Sequence, residues 1–220
     1  CQQCLSALSL IDKGLSCNKC KIFYPISKDL IFMGYNKNDH DEIQKIIEYE
    51  KNHQTNLSDM QHHYDYAPLS FKTGLIAIDI LKDLANLKDP IAIDIGSGGA
   101  PFAKILSEKG FNTFRLELDP NSLYSGLFWH HSNLCIGKHI VADASILPFS
   151  NKSVDIVFCK QFIHHIENFN AIFKEINRVL KKDGIFLMIE QTKKFKALRT
   201  KAEVDSINSF GHNIKTIFEY

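Results

Sequence analysis

No unbroken apolar run among the 220 residues reaches the roughly 18 that a membrane-spanning helix needs, so a soluble, cytoplasmic chain with no membrane partner is expected. A dominant sign of charge is lacking as well. Lysine and arginine total 26 against 25 aspartate and glutamate, a formal net charge of +1, which gives no global signature for nucleic acid or lipid. There is no internal repeat and no low-complexity tract, which removes solenoids and disordered arrays. What is present is apolar material, 45% of residues, enough for one ordinary α/β domain with an appendage.

The most informative stretch is Ile91-Ala-Ile-Asp-Ile95 running into Gly96-Ser-Gly-Gly-Ala100. A strand that stops at paired glycines and feeds a helix lets backbone approach a ligand and aims free N–H groups at it. The same composition also serves simply to reverse a chain. Pro101 stands where the dinucleotide fingerprint wants a small residue for helix-to-strand packing, which argues against a nicotinamide cofactor. Proline suits the first turn of a helix, here predicted over 102–109. The next strand, 113–117, ends in Glu117, 23 positions after Asp94, and an acid about 20 residues beyond such a loop is where a ribose diol is held. Two further apolar runs follow, one capped by Asp143 and Ala144, the other, 154–158, leading to His164 and His165. Polar residues normally end strands, so each acid also has a structural reading.

Between the motifs, Ile43, Ile46 and Ile47 mark a helical stripe over 39–51, and Ile76, Ile80, Leu84 and Leu87 mark another over 70–87. Residues 52–68 lack periodicity and carry His53, His62, His63, Tyr64 and Tyr66, reading as a polar linker or a lid over the ligand. A stripe through Ile172, Ile176, Val179 and Leu180 predicts a helix over 171–180, and Gly184 is expected to end a turn before a strand at 185–189. Strands alternating with helices imply a mainly parallel sheet covered on both faces, with ligand at the strands' carboxyl ends.

Cys1-Gln-Gln-Cys4 and Cys17-Asn-Lys-Cys20 are two CxxC pairs separated by 12 residues. Two such turns facing each other make a tetrahedral four-sulfur site, which zinc favours, and a closed four-thiolate set leaves no position for catalysis. The metal at Cys1, Cys4, Cys17 and Cys20 is therefore read as structural zinc. Disulfides, an iron site or a redox CxxC are the alternatives, although a redox motif needs one pair at a helix start. Residues 1–33 are a short unit expected to fold only with the metal bound. Cys135 and Cys159 stand alone as buried, inert thiols.

The joint order DIGSGGA, LELDP, ADASILPF, SVDIVF, HH and INRVLKKDGIF resembles a class I S-adenosylmethionine-dependent methyltransferase of type 11, over residues 70 to 190. The resemblance implies an α/β fold, a Rossmann-like mainly parallel sheet with helices on both faces, preceded here by a small zinc ribbon. It implies that Gly96, Ser97 and Gly98 line the methionine part of the cofactor, that Glu117 binds the ribose hydroxyls, and that Asp143 with Ala144 reads the adenine. Asp94 orders the loop and the amino-acid end, and Leu118 and Lys160 complete the lining. Ala100 departs from the usual last loop glycine but is small. The expected organisation is a zinc ribbon at 1–33, a linker helix and lid at 34–69, and a methyltransferase domain at 70–220. Family members end with two strands after the fifth, whereas room remains for about one, at 214–220, and no Met precedes Cys1. The given sequence is therefore expected to be trimmed.

The ribbon resembles modules found in front of some methyltransferases, including enzymes that methylate a guanine of large-subunit ribosomal RNA. Tyr24-Pro25 follows the last knuckle as it does in those ribbons, while the histidine that often replaces their fourth cysteine is absent. The candidate general bases are His164 and His165, whose ordinary pKa suits them to proton transfer; pocket shaping is their structural reading. Phe158-Cys-Lys-Gln161 replaces the signature of adenine and cytosine amino methylation. A small-molecule or biosynthetic-intermediate acceptor is thus expected ahead of RNA. An RNA substrate would use the ribbon and the run of Lys181, Lys182, Lys193, Lys194, Lys196, Arg199 and Lys201, which faces only Asp183 and Glu190 but otherwise reads as a solvated face. A non-catalytic partner protein that retains the fold is the third reading.

Overall fold

The computed structural model describes residues 1–4, 6–12, 14–27, 30–33, 87–98, 102–119, 138–166, 169–191 and 213–219. In chain order the described strands are β1 (Leu8–Ile11), β2 (Gly14–Cys17), β3 (Phe23–Ser27), β4 (Leu30–Phe32), β5 (Ile91–Ile95), β6 (Asn112–Glu117), β7 (His139–Val141), β8 (Val154–Lys160), β9 (Leu180–Gln191) and β10 (Asn213–Glu219). The helices are α1 (Phe102–Glu108) and α2 (Phe169–Val179), and a 3₁₀ turn spans Ile163–His165. The linker helix at 39–51, the segment 52–68, the helix at 70–87, Cys135 and the cations from Lys193 onward lie outside the described residues, apart from Leu87. That residue, assigned to a helical stripe, sits in a bend and is 42% exposed.

The strands form one sheet in the order β1-β2-β3-β4-β7-β6-β5-β8-β9-β10. From β4 to β10 every pairing is parallel, and β1 to β4 form an antiparallel meander. Parallel strands covered on both faces read as continuous apolar runs, and β8 is buried over Val154–Cys159. Alternation then sorts side chains between two faces. Ala92, Ile156, Phe158, Ile185 and Leu187 pack with Phe102 and Leu106 of α1. Ile93, Ile95, Val157 and Phe186 pack on the opposite side with Phe169, Ile172, Phe173 and Ile176 of α2. The Phe102 and Phe158 rings lie 4.7 Å apart, and Phe173 meets Phe186 edge-on at 5.4 Å. Each such side chain, fully buried, contributes about 1.5–3 kcal/mol. The three-layer Rossmann-like architecture follows.

The strand expected at 185–189 begins earlier. β9 starts at Leu180 opposite Val154 and then shifts register, so that Ile185 stands opposite Ile156. Residues 181–184 thus bulge opposite Asp155, whose carboxylate accepts the Lys181 Nζ at 2.8 Å and the Ile91 N–H at 2.9 Å. Gly184 is buried inside this bulge. A Cβ there would lie 3.0 Å from both a Leu180 methyl and the Lys181 carbonyl oxygen, so glycine serves close approach, not the end of a turn.

Candidate functional site

The carboxyl ends of β5, β6, β7 and β8 converge on the glycine loop, the edge where ligands sit in open α/β sheets. Gly96 and Gly98 have φ of +64° and +45°, a region that side chains resist. The Gly96 and Ser97 N–H groups both donate to the Leu116 carbonyl, at 2.9 and 3.3 Å, turning the loop across the end of β6. The Phe162 ring packs on Gly96, while among the described residues nothing lies within 4 Å of a Cβ built on Gly98.

Glu117 and the loop meet directly. Its Oε2 accepts the Gly98 N–H at 3.0 Å, and its Oε1 accepts the N–H groups of Leu118 and Asp119 at 2.7 and 3.3 Å. Arg115, two residues earlier and so on the same face of β6, donates through Nη2 to the Gly98 carbonyl. Arg115 is buried, and the sequence reading did not single it out. Its only signal is a guanidinium inside an apolar strand, one alternation from Glu117.

Asp94 is buried, and burial pushes its carboxyl up to about 7, against the pull of the Arg115 guanidinium and aided by the Glu117 charge. It also accepts the Ala103 N–H in the first turn of α1. Asp94 Oδ2 and Ser97 Oγ are buried without a hydrogen-bond partner among the described residues. Buried polar atoms are rarely left so, and a zwitterionic ligand end over the loop would satisfy them. Asp143 lies just past β7 and is exposed; its Oδ1 accepts the Ser145 N–H at 2.7 Å, and Ala144 beside it is buried. Leu118 is 60% exposed. Lys160 ends β8 with its Nζ 5.4 Å from the Phe102 ring centroid. These residues fit an adenosyl cofactor in polarity and placement.

The two histidines part ways. The His164 side chain is only 7% exposed and its Nδ1 lies 2.9 Å from Glu190 Oε2, whereas His165 is exposed, with the two rings 4.1 Å apart. Glu190 is fully buried at the end of β9, and its Oε1 accepts the Ile163 N–H at 2.7 Å. Sequence reasoning counted Glu190 only as a surface charge. An acid closing the run Ile185-Phe-Leu-Met-Ile189 was the available signal. Cys159 is buried and its thiol is pushed well above the ordinary range, by burial first and then by the Glu190 and Asp94 charges. It stays an inert thiol.

At the other end of the sheet, Cys1, Cys4, Cys17 and Cys20 place their sulfurs within 4.8 Å of one another. Cys4 and Cys17 sulfurs are 3.6 Å apart, and the Cys20 N–H donates to the Cys17 sulfur at 3.3 Å. Hydrogen bonding from Ser6 draws the Cys4 thiol down to about 6, while sharing a proton with Cys4 holds Cys20 up at about 11. This all-sulfur set fits zinc in number and softness.

Residues 93–188, a little under half of the chain, match the family model described as a methyltransferase domain. Among curated proteins, zebrafish arginine-hydroxylase NDUFAF5, mitochondrial, is 28% identical over 125 residues, covering 56% of this chain and 37% of that protein. The ubiquinone biosynthesis O-methyltransferase of Rickettsia bellii is 25% identical over 111 residues, covering 50% of this chain and 46% of that protein. The chain therefore spans less than half the length of either relative. Among solved structures, YcgJ of Bacillus subtilis superposes with a TM-score of 0.50 at 20% identity, over 61% of this chain and 67% of that one, a likeness of fold.

Proposed function

We propose that this methyltransferase-domain chain transfers a methyl group from S-adenosylmethionine to a small-molecule or biosynthetic-intermediate acceptor. The observation that carries the reading is the Glu117–Gly98 contact at 3.0 Å, which joins the ribose acid to the glycine loop at the carboxyl edge. Gly96, Ser97 and Gly98 take the methionine end, with Asp94 and Ser97 offering their unpartnered oxygens. Glu117 takes the ribose hydroxyls, and Asp143 with the Ala144 backbone takes the adenine edge. The exposed side chain of Leu118 lies against the base, and Lys160 borders the pocket.

The cofactor supplies an electrophilic methyl on sulfur, and displacement in line needs little beyond positioning and electrostatics. Where the acceptor must lose a proton, His164 receives it. Donation from Nδ1 to Glu190 leaves Nε2 as the free acceptor, a tautomer fixed by the second group. Zinc in the closed cysteine set stays structural. The name of the rickettsial relative supports a small acceptor. The RNA reading loses one cation of its basic run, because Lys181 is engaged by Asp155.

Calorimetry with S-adenosylhomocysteine tests the cofactor assignment. Intact protein is expected to bind, and Glu117→Ala and Asp143→Ala to weaken binding at least tenfold; unchanged binding would refute it. For the base, His164→Gln and Glu190→Gln should cut turnover, once an acceptor is found, while leaving S-adenosylhomocysteine affinity within about twofold. Transfer to RNA and to no small acceptor would overturn the substrate class.

A further inference from the structure

The zinc ribbon and the candidate adenine site are joined through three independent contacts. β7 is only three residues long, and its neighbours are β6 on one side and β4, from the ribbon, on the other. The Met33 N–H donates to the Val141 carbonyl at 2.8 Å, and the Ala142 N–H donates to the Glu117 carbonyl at 3.0 Å. The backbone entering Asp143 is thereby clamped between the ribbon and the ribose strand.

The second contact comes from inside the first knuckle. Gln2, next to Cys1, donates its side-chain amide to the Ile146 carbonyl at 2.7 Å, in the loop that carries Asp143. The third runs through Tyr24, which is 3% exposed and belongs to the same apolar cluster as Ile140, Ala142, Ala144 and Leu147. Its hydroxyl lies 3.4 Å from the Cys1 sulfur and accepts the Gln2 N–H at 3.2 Å. A cleft of about 180 Å³ between the two parts is lined by Cys1, Leu8, Leu147 and Phe149 among others.

We propose that the ribbon acts as a built-in support for the adenine-reading loop, with Gln2 and β4 as positioning residues, so that zinc loading of the knuckles sets the affinity for the adenosyl group. The knuckle end of the ribbon has little core to hold its shape without metal: Leu10 and Ile11 are 74% and 48% exposed, and among the described residues the buried apolar side chains of 1–33 are Cys17 and Tyr24 together with Leu30, Phe32 and Met33 at the β7 edge. Metal binding in such a module is folding. Losing it releases the Gln2 amide and unclamps β7, whose bare edge then frays, and Asp143 no longer meets the adenine amino group in a fixed stance. The inference rests on the cofactor reading above.

The test compares calorimetric binding of S-adenosylhomocysteine and of its inosyl analogue, which replaces the adenine amino group with an oxygen, on zinc-loaded protein. Gln2→Ala removes one hydrogen bond, so S-adenosylhomocysteine should bind about three- to tenfold more weakly, with the preference over the inosyl analogue narrowed to match. Zinc content and melting temperature should stay at wild-type values. Asn18→Ala, on the second knuckle where the exposed Asn18 amide donates to Ser9 Oγ, should bind both ligands like wild type. Chelation of the metal should weaken S-adenosylhomocysteine further. Wild-type affinity and wild-type discrimination in zinc-loaded Gln2→Ala would overturn the proposal. Failure of loaded wild type to bind S-adenosylhomocysteine would instead overturn the cofactor reading beneath it.

Discussion

Replacing Asp94 with Asn should reshape the pH dependence of stability. In the folded chain burial raises the Asp94 carboxyl from 3.8 to about 7, so the native state holds its proton more tightly than the unfolded chain. Between those values unfolding releases a proton, and stability falls as pH rises. The side chain costs nothing below about pH 4. Above pH 7 the full penalty is about 3 pKa units at 1.36 kcal/mol each, on the order of 4 kcal/mol. More than a third of that is already incurred by pH 5. An asparagine keeps the shape and the acceptor for the Ala103 N–H but does not titrate. Urea denaturation of cofactor-free protein at pH 5, 6, 7 and 8 is the assay. The wild type should lose about 3 kcal/mol relative to Asp94→Asn across that range. Parallel stability curves, or a wild type that gains on the variant with rising pH, would refute the burial argument.

Substitutions at two further residues test the architecture around the site. Gly96→Ala forces a side chain into φ of +64° and into overlap with the Phe162 ring; a loss of about 2–4 kcal/mol in denaturant is expected, together with loss of S-adenosylhomocysteine binding. Arg178 ties α2 to the chain following Asp143, donating to the carbonyls of Leu147 and Phe149 at 2.8 and 2.7 Å and to Glu175 at 2.7 Å. Arg178→Ala should cost about 2–4 kcal/mol, and Arg178→Lys should recover little of it, because one ammonium cannot replace the guanidinium fork.

Much of the parallel sheet was legible because its strands are buried on both faces and write themselves as apolar runs. Ile91–Ile95 and the strand closed by Glu117 came within a residue of the observed bounds. β8 was harder to end: it continues through Cys159 and Lys160, where a cysteine and a lysine break the pattern although the backbone pairing goes on. The early start of β9 was hidden for a related reason. A bulge pairs residues that no local period predicts, and the signal in Lys181-Lys182-Asp183-Gly184 is that of a turn. Glu190 and Arg115 were passed over because a charge in a sequence reads as solvent-facing until its partners are known.

The sequence by itself determined the parts that depend on neighbours along the chain. These are the glycine turn that only small residues can make, the acid that ends β6, the paired histidines, and the two CxxC knuckles. The tertiary structure alone decided what those parts touch. It set Glu190 against His164, Arg115 and Glu117 against the two sides of Gly98, and the ribbon's β4 against β7, pairings between residues as much as 144 positions apart in the case of Gln2 and Ile146. Local periodicity carries the burial of a face, but it carries no record of which distant strand will satisfy the hydrogen bonds along an edge. That choice waits on the packing of the whole sheet, and it sets the four-cysteine module beside the strand that leads to Asp143.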